Sequence, residues 1–146
     1  SEKIWRPAGA ANARWRTYTN EGSVTPYCCL FATVEDWAKV VIYLSKNGTV
    51  DEPFLSPSME KLISAKRYAP SLLREGVYGL HVRHDILDRD GESIKGPFTY
   101  FVGHGGQLVY LIPDYDLVIV RFGRKHTLLH STAYYLWRII NGETGS

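Results

Sequence analysis

A histidine enclosed by glycines is the residue of this chain best placed for chemistry. His104 lies in the run Gly103-His104-Gly105-Gly106-Gln107, directly before an apolar stretch. Adjacent glycines have no Cβ, so a substrate or another backbone can approach the chain closely here, as an acyl-binding site requires. The alternative is a glycine bulge beside an ordinary histidine, since isolated glycines in strands usually mark bulges.

The histidine precedes a predicted hairpin. Two apolar runs, Leu108 to Ile112 and Leu117 to Phe122, are separated by the turn formers Pro113-Asp114-Tyr115-Asp116. This pattern predicts two antiparallel, largely buried strands that lie centrally in a sheet, because both are apolar on both faces. A further strand, Phe98 to Val102, leads into His104.

Two helices are predicted before residue 70. Thr33 followed by the first-turn acid Asp36 resembles a capping box, and Gly48 is expected to close this helix as a left-handed cap. Its apolar face is predicted to carry Val34, Trp37, Ala38, Val41 and Leu44. The second helix has Ser56 as N-cap and Pro57 at its first position, followed by the apolar residues Met59, Leu62 and Ile63. The helical pattern fades near residue 70.

The remaining segments predict an α+β architecture. Residues 11–26 are aperiodic and are expected to form an ordered loop, whereas Val77 to Arg83 alternates like a strand. The charged run Asp85 to Gly96 indicates a loop, and Leu128 to Asn141 has helical spacing. We expect a single domain over 1–146, with a loop and helical part at 1–70 and strands with a closing helix at 77–146. In it, helices cover an antiparallel sheet.

Composition excludes several functions. The 17 Lys and Arg are scattered among 15 Asp and Glu, so no basic stripe for nucleic acid exists, and no apolar run approaches the ~20 residues of a membrane span. The two cysteines, Cys28 and Cys29, are neighbours, which rarely satisfy disulfide geometry. His81, His84, His126 and His130 lack the spacing of metal ligands, so we predict no metal and no cofactor.

The chain resembles the C-terminal portion of the beta-lactamase-related serine hydrolases. This superfamily includes class C beta-lactamases, penicillin-binding proteins, esterases and 6-aminohexanoate-dimer hydrolases. The segments that carry the resemblance, in order along nearly the whole chain, are Glu2-Lys3-Ile4-Trp5-Arg6-Pro7-Ala8-Gly9, Tyr27-Cys28-Cys29-Leu30-Phe31-Ala32-Thr33-Val34-Glu35-Asp36-Trp37-Ala38, Tyr78-Gly79-Leu80, and Gly103-His104-Gly105-Gly106-Gln107 through Val120. It implies a partial beta-lactamase/transpeptidase-like fold.

The resemblance also implies a mechanism. Such enzymes use a serine in Ser-x-x-Lys, a Tyr-x-Asn type element and a Lys-Thr-Gly or His-x-Gly element at a strand edge. His104-Gly105-Gly106 matches the third, which makes His104 the expected catalytic residue and Gly105, Gly106 and Gln107 the expected substrate-binding residues. The oxyanion donor would be the backbone N–H of Gln107 or of His104.

The first two motifs are expected upstream of this chain. We therefore expect the C-terminal part of a hydrolase of amides or esters that is inactive alone. Its expected partners are a small amide or ester substrate and the N-terminal part of the same domain, or a second copy in a homodimer. The resemblance indicates no single compartment, because its members are periplasmic, secreted or cytoplasmic.

One further motif competes for the nucleophile. Ser58-Met59-Glu60-Lys61 spells Ser-x-x-Lys at a helix start, but Ser56-Pro57 already explains that sequence as ordinary capping. Two alternatives to a hydrolase also remain: a non-catalytic relative that binds a ligand without turning it over, and a purely structural or oligomerising module.

Overall fold

The computed structural model describes residues 2–18, 22–24, 29–86 and 96–124. The chain divides into two compact units, Ser1–Phe54 and Leu55–Ser146. The single domain expected from the sequence stays a prediction. The closing helix expected at 128–141, with His126 and His130, lies outside the described residues.

The described elements form an α+β protein. The helices are α1 Val34–Ser45, α2 Pro57–Ile63 and α3 Pro70–Arg74, with 3₁₀ turns at Ala65–Arg67 and Pro113–Tyr115. The strands are β1 Arg14–Trp15, β2 Leu30–Phe31, β3 Val77–Gly79, β4 Val82–Ile86, β5 Pro97–Gly103, β6 Gln107–Ile112 and β7 Leu117–Arg121. Strands β3 to β7 make one antiparallel sheet in chain order, and β1 pairs with β2. None of the helices described is long and apolar enough to cross a membrane.

Local hydrogen bonds fix both ends of helix α1. The Thr33 hydroxyl accepts the Asp36 N–H at 3.1 Å and donates to Asp36 Oδ2 at 2.8 Å, which confirms the predicted cap. At the other end Asn47 takes a left-handed φ of 57°, and the Gly48 N–H bonds Tyr43 O at 3.0 Å. This is a Schellman closure, so Gly48 is the second residue past the helix cap and Asn47 the first.

The buried face of α1 differs from the predicted one. Its buried residues are Asp36, Val40 and Val41. Val34 and Leu44, expected on the apolar face, are 46% and 42% exposed. The Ala11 N–H donates to Asp36 Oδ1 at 2.8 Å, so a carboxylate occupies the buried side of the first turn. Periodicity in apolar residues could not detect that, because the inward residue is charged.

The segment predicted as a loop over 11–26 contains a strand. Arg14 pairs with Phe31 and Trp15 with Leu30, and the Arg16 N–H continues the pairing to Cys29 O at 2.9 Å.

The second helix is shorter than the sequence suggested. Ser56 Oγ accepts the Met59 N–H at 3.4 Å and Pro57 opens α2, as predicted. The helix ends at Ile63, after which the 3₁₀ turn Ala65–Arg67 and α3 follow. Pro70 therefore starts a helix, since its fixed φ suits the first helical position.

The five-stranded sheet confirms the predicted hairpin and places it. Ile112 pairs with Leu117 across the Pro113–Tyr115 turn, and the register continues to Leu108 with Arg121. Among the described strands β6 is interior, as expected, whereas β7 is terminal. Among the described strands, the hairpin thus has a neighbouring strand, β5, on its β6 side only.

One face of the sheet carries the core. The buried cluster is Phe98, Tyr100, Leu108, Tyr110, Ile112 and Ile119. These residues alternate along β5, β6 and β7, so they share a face. The residues between them on β6, including Val109 and Leu111, are half-buried. Strand β6 therefore has one buried face and one half-buried face.

The predicted single strand Val77 to Arg83 is two strands with a tight turn. Gly79 pairs with Val82, and Leu80 and His81 between them have φ of 52° and 62°. Two consecutive left-handed residues match a type I′ turn, which favours Asn-Gly. The turn could not be expected from the residue types, because Leu-His is an unusual pair at its two central positions. Asp85 and Ile86, predicted as the start of a loop, belong to β4, and the rest of that prediction, residues 87–95, lies outside the described ranges.

Candidate functional site

The glycine run forms a tight turn between β5 and β6. Gly103 and Gln107 are paired, and the Gly106 N–H donates to Gly103 O at 3.2 Å. Gly105 and Gly106 have φ of 78° and 93°. The hydrogen bond and the positive φ at its third residue are those of a type II turn. Both glycines are therefore required by the backbone, because side chains are strained at these angles.

His104 stands exposed on this turn. Within the described residues neither its imidazole nor its N–H makes a hydrogen bond, and the Gly105 N–H makes none either. One short turn thus carries an exposed imidazole and two backbone N–H groups that have no hydrogen-bond partner among the described residues. The arrangement can present an imidazole and N–H groups to a carbonyl or another acceptor.

Arg121 ties the turn to the neighbouring strand. Its Nη1 donates to Gly106 O at 2.9 Å, and its Nη2 donates to Arg124 O at 3.0 Å. Arg121 pairs with Leu108 in the hairpin, so its side chain only has to extend past the end of the ladder. The guanidinium links two backbone segments with one rigid group.

Gln107 closes the same end of the sheet. Its Nε2 donates to Gly123 O at 3.1 Å, and its Oε1 accepts the Gly123 N–H at 3.0 Å. Both the nitrogen and the oxygen of the side-chain amide are thus hydrogen-bonded to the Gly123 backbone. Of the expected substrate-binding residues, Gln107 would therefore contribute through its main chain, and its backbone N–H and that of His104 both stay candidate oxyanion donors.

The two ends of the β6–β7 hairpin differ in charge. Arg121 and exposed Arg124 lie at the His104 end. Asp114 and Asp116 lie at the opposite turn, where Lys66 Nζ is 2.5 Å from Asp114 Oδ1. The described residues around His104 therefore bring positive charge, which favours an acceptor that becomes negative.

The competing nucleophile motif has ordinary surroundings. Ser58 is exposed, and its Oγ lies 2.9 Å from Ser56 Oγ, the N-cap oxygen of α2. No hydrogen bond joins Ser58 and Lys61 within the part of the chain that the structure describes. A nucleophile needs a base within hydrogen-bond reach, and this serine has a capping neighbour instead.

The other described histidines have separate environments. His81 is exposed on the β3–β4 turn, whereas His84 on β4 is 1% exposed and bonds Thr99 Oγ1 through Nδ1 at 3.0 Å. Burial, and secondarily the Arg67 charge, lowers the pKa of His84 below its ordinary value. Across the described ranges no three His, Cys, Asp or Glu side chains group as metal ligands.

The buried tyrosines are not acid-base groups at neutral pH. Burial and the neighbouring Tyr100 raise the pKa of Tyr110 to about 12. Burial also raises the pKa of Tyr100. The rings stack with centroids 6.3 Å apart inside the sheet core. Their role is packing, because their hydroxyls stay protonated.

Arg121 was not among the predicted site residues, and the sequence left His84 as either a surface or a core histidine. Arg121 could have been found by counting, because a hairpin that pairs Ile112 with Leu117 must also pair Leu108 with Arg121. His84 could not, since its burial depends on which residues later cover β4. Of the predicted site residues, the turn brings His104, Gly105 and Gly106 together. The side chain of Gln107 is hydrogen-bonded to the Gly123 backbone instead.

Searches for similar proteins gave no match among protein-family models, curated proteins or solved structures.

Proposed function

We propose that this chain is the C-terminal part of a beta-lactamase-related serine hydrolase that cleaves amide or ester bonds. The observation that carries the proposal is the exposed His104 on a turn whose two glycines have positive φ and whose end is tied down by Arg121. The sequence resemblance supplies the family, and the antiparallel sheet behind the turn is compatible with it.

In this proposal His104 positions the substrate carbonyl. A serine hydroxyl from the N-terminal part of the domain attacks the carbonyl carbon, and its proton passes to a base in that part. The carbonyl oxygen becomes an oxyanion, which backbone N–H groups such as that of His104 stabilise. The intermediate then expels the amine or alcohol, and water releases the acid from the serine.

The N-terminal part would pair with the terminal strand. Terminal among the described strands, β7 carries Leu117, Val118, Ile119 and Val120, an apolar edge that another strand could extend. A homodimer through the same edge is the competing arrangement. A longer protein that is monomeric with this chain inside it would favour the first.

The test uses the longest gene product that contains this chain. His104→Ala should lower kcat/KM for a chromogenic ester by about 10²-fold, because the imidazole that positions the carbonyl is lost while the backbone N–H is kept. His81→Ala is the matched control, because His81 is also exposed on a turn of the same sheet.

Unchanged kcat/KM in His104→Ala would defeat the proposed positioning role of the His104 imidazole. If the gene product has no Ser-x-x-Lys besides that of residues 58–61 and does not hydrolyse the ester, the alternative of a non-catalytic relative is supported. In that case, binding of an amide or ester ligand that His104→Ala weakens would identify the turn as a ligand site.

A further inference from the structure

His84 is buried beneath a short helical segment. It lies on interior strand β4 and is 1% exposed, with its Nδ1 3.0 Å from Thr99 Oγ1 on β5. Its ring centroid is 5.4 Å from that of Tyr68, which follows the 3₁₀ turn Ala65–Arg67. Residues 57–74, which contain α2, this 3₁₀ turn and α3, are called the helical cover below.

Of the charged groups of the cover, which include Glu60 and Lys61 on α2, the one that acts on His84 is the basic Arg67. Arg67 stacks on Tyr68 at 4.9 Å and donates from Nη1 to Leu62 O at 2.6 Å. The 3₁₀ turn also carries Lys66, which pairs with Asp114. Helix α3 packs on β4 and carries Arg74, with Glu75 after its end.

The sheet residues around His84 add no opposite charge on its face. Thr99 on β5 and Val77 on β3 pair with His84 and are neutral. Arg83 and Asp85 flank His84 on β4, so they point to the other face, where Arg83 lies 4.8 Å from the Tyr78 ring. A proton on His84 would thus create a buried cation beside Arg67 without a carboxylate partner among the described residues.

The helical cover is held by few buried side chains. Helix α2 has none, and the cover buries Ala65 and Leu73. The six-residue core lies on the opposite face of the sheet, because Thr99 alternates with Phe98 and Tyr100. Releasing the cover would therefore cost much less than unfolding the sheet, which is the condition for a local opening.

We propose that His84 is an acid-sensitive latch whose protonation releases the helical cover from the sheet while β4 to β7 stay folded. Burial, followed by the Arg67 charge, lowers the pKa of His84 below its ordinary value of 6.5. The folded state therefore prefers neutral His84. Its contribution is complete above the ordinary pKa and is lost as pH falls from there toward the lowered folded pKa.

The test is amide hydrogen exchange of the full chain at about pH 7.5 and about pH 5, corrected for intrinsic exchange. Protection in residues 57–74 should fall on acidification by up to about tenfold per pH unit, the limit for one proton. His84→Gln, which can keep a bond to Thr99 without titrating, should abolish the change. His81→Gln, an exposed histidine of the same sheet, should retain it.

Three results would overturn the latch. One is an unchanged pH response in His84→Gln, and another is an equal loss of protection over β4 to β7, which means global unfolding. The third comes from an NMR titration of the wild-type imidazole, which also serves if His84→Gln does not fold. A His84 pKa at or above 6.5 would show that the fold does not disfavour the proton.

Discussion

Arg121 Nη1 donates to Gly106 O at 2.9 Å, so strand β7 holds the turn that presents His104. The same guanidinium donates to Arg124 O, which ties the chain after β7 to the same point. Two donor nitrogens of one planar group thus link the turn that carries His104 to the chain after β7.

Removing this guanidinium should loosen the turn. We expect Arg121→Met to lower the free energy of unfolding by about 1 kcal/mol, since two partly exposed hydrogen bonds are lost and the apolar stem is kept. Urea denaturation measures it, and amide exchange at Gly105 and Gly106 should accelerate. Arg124→Met is the control, because the bond from Arg121 reaches only the Arg124 backbone. Equal destabilisation by both variants would show that the loss of one positive charge lowers the stability, and not the loss of the Arg121 hydrogen bonds.

The β3–β4 turn should become more stable with residues that suit its backbone. Leu80 and His81 have φ of 52° and 62°, and Leu80 is 56% exposed, so little packing would be lost on its replacement. The double change Leu80→Asn with His81→Gly should raise the free energy of unfolding by about 1 to 2 kcal/mol, as left-handed strain is relieved.

Thermal and urea denaturation test this stabilisation. Asn-Gly placed instead at Val82 and Arg83, in the strand, is the contrasting variant and should destabilise. A loss of stability at the turn would mean that the Leu80 and His81 side chains compensate the strain.

Asp36 should make stability pH-dependent in acid. The Ala11 N–H, followed by the Thr33 hydroxyl and Lys39, holds the pKa of Asp36 below its ordinary value of 3.8, and burial only partly opposes this. Because the folded pKa is depressed, the stabilisation is complete above the ordinary value and is lost as pH falls through the folded pKa.

Asp36→Asn isolates that contribution. The amide oxygen can still accept the Ala11 N–H, but the charge is gone. The difference in free energy of unfolding between wild type and variant should be largest near neutral pH and should shrink below the ordinary carboxyl pKa. A difference that stays constant down to about pH 2 would show that the carboxylate charge contributes nothing.

The chain by itself should be catalytically inactive. Its one Ser-x-x-Lys places Ser58 beside a capping hydroxyl, and acyl transfer loses most of its rate without an activated nucleophile. A serine-directed fluorophosphonate should not label the chain, and a chromogenic ester or beta-lactam should not be hydrolysed. If labelling occurs, peptide mass mapping identifies the labelled serine. Labelling that disappears in Ser58→Ala would make Ser58 a nucleophile. Labelling of another serine would show that the proposed location of the active site is wrong.

Several features of this protein follow from short stretches of sequence. The Thr33 and Ser56 caps, the start of α2 at Pro57 and the turn at Pro113–Tyr115 depend on neighbours within about four residues. Such interactions are local, so they can be predicted without knowing the fold. The hairpin register then follows from the turn, and with it the placement of His104 at the entry to β6.

Other features required the tertiary structure. The inward face of α1 was decided by the Ala11 N–H, 25 residues before its acceptor Asp36, and the burial of His84 by a helical cover that precedes it in the chain. The engagement of Gln107 with Gly123 likewise spans the hairpin. Each is a contact between residues distant in sequence, whose partners become neighbours only after the strands pair. Residue spacing identified His104 as the candidate, and those long-range contacts determined which of its neighbours remain available for a ligand.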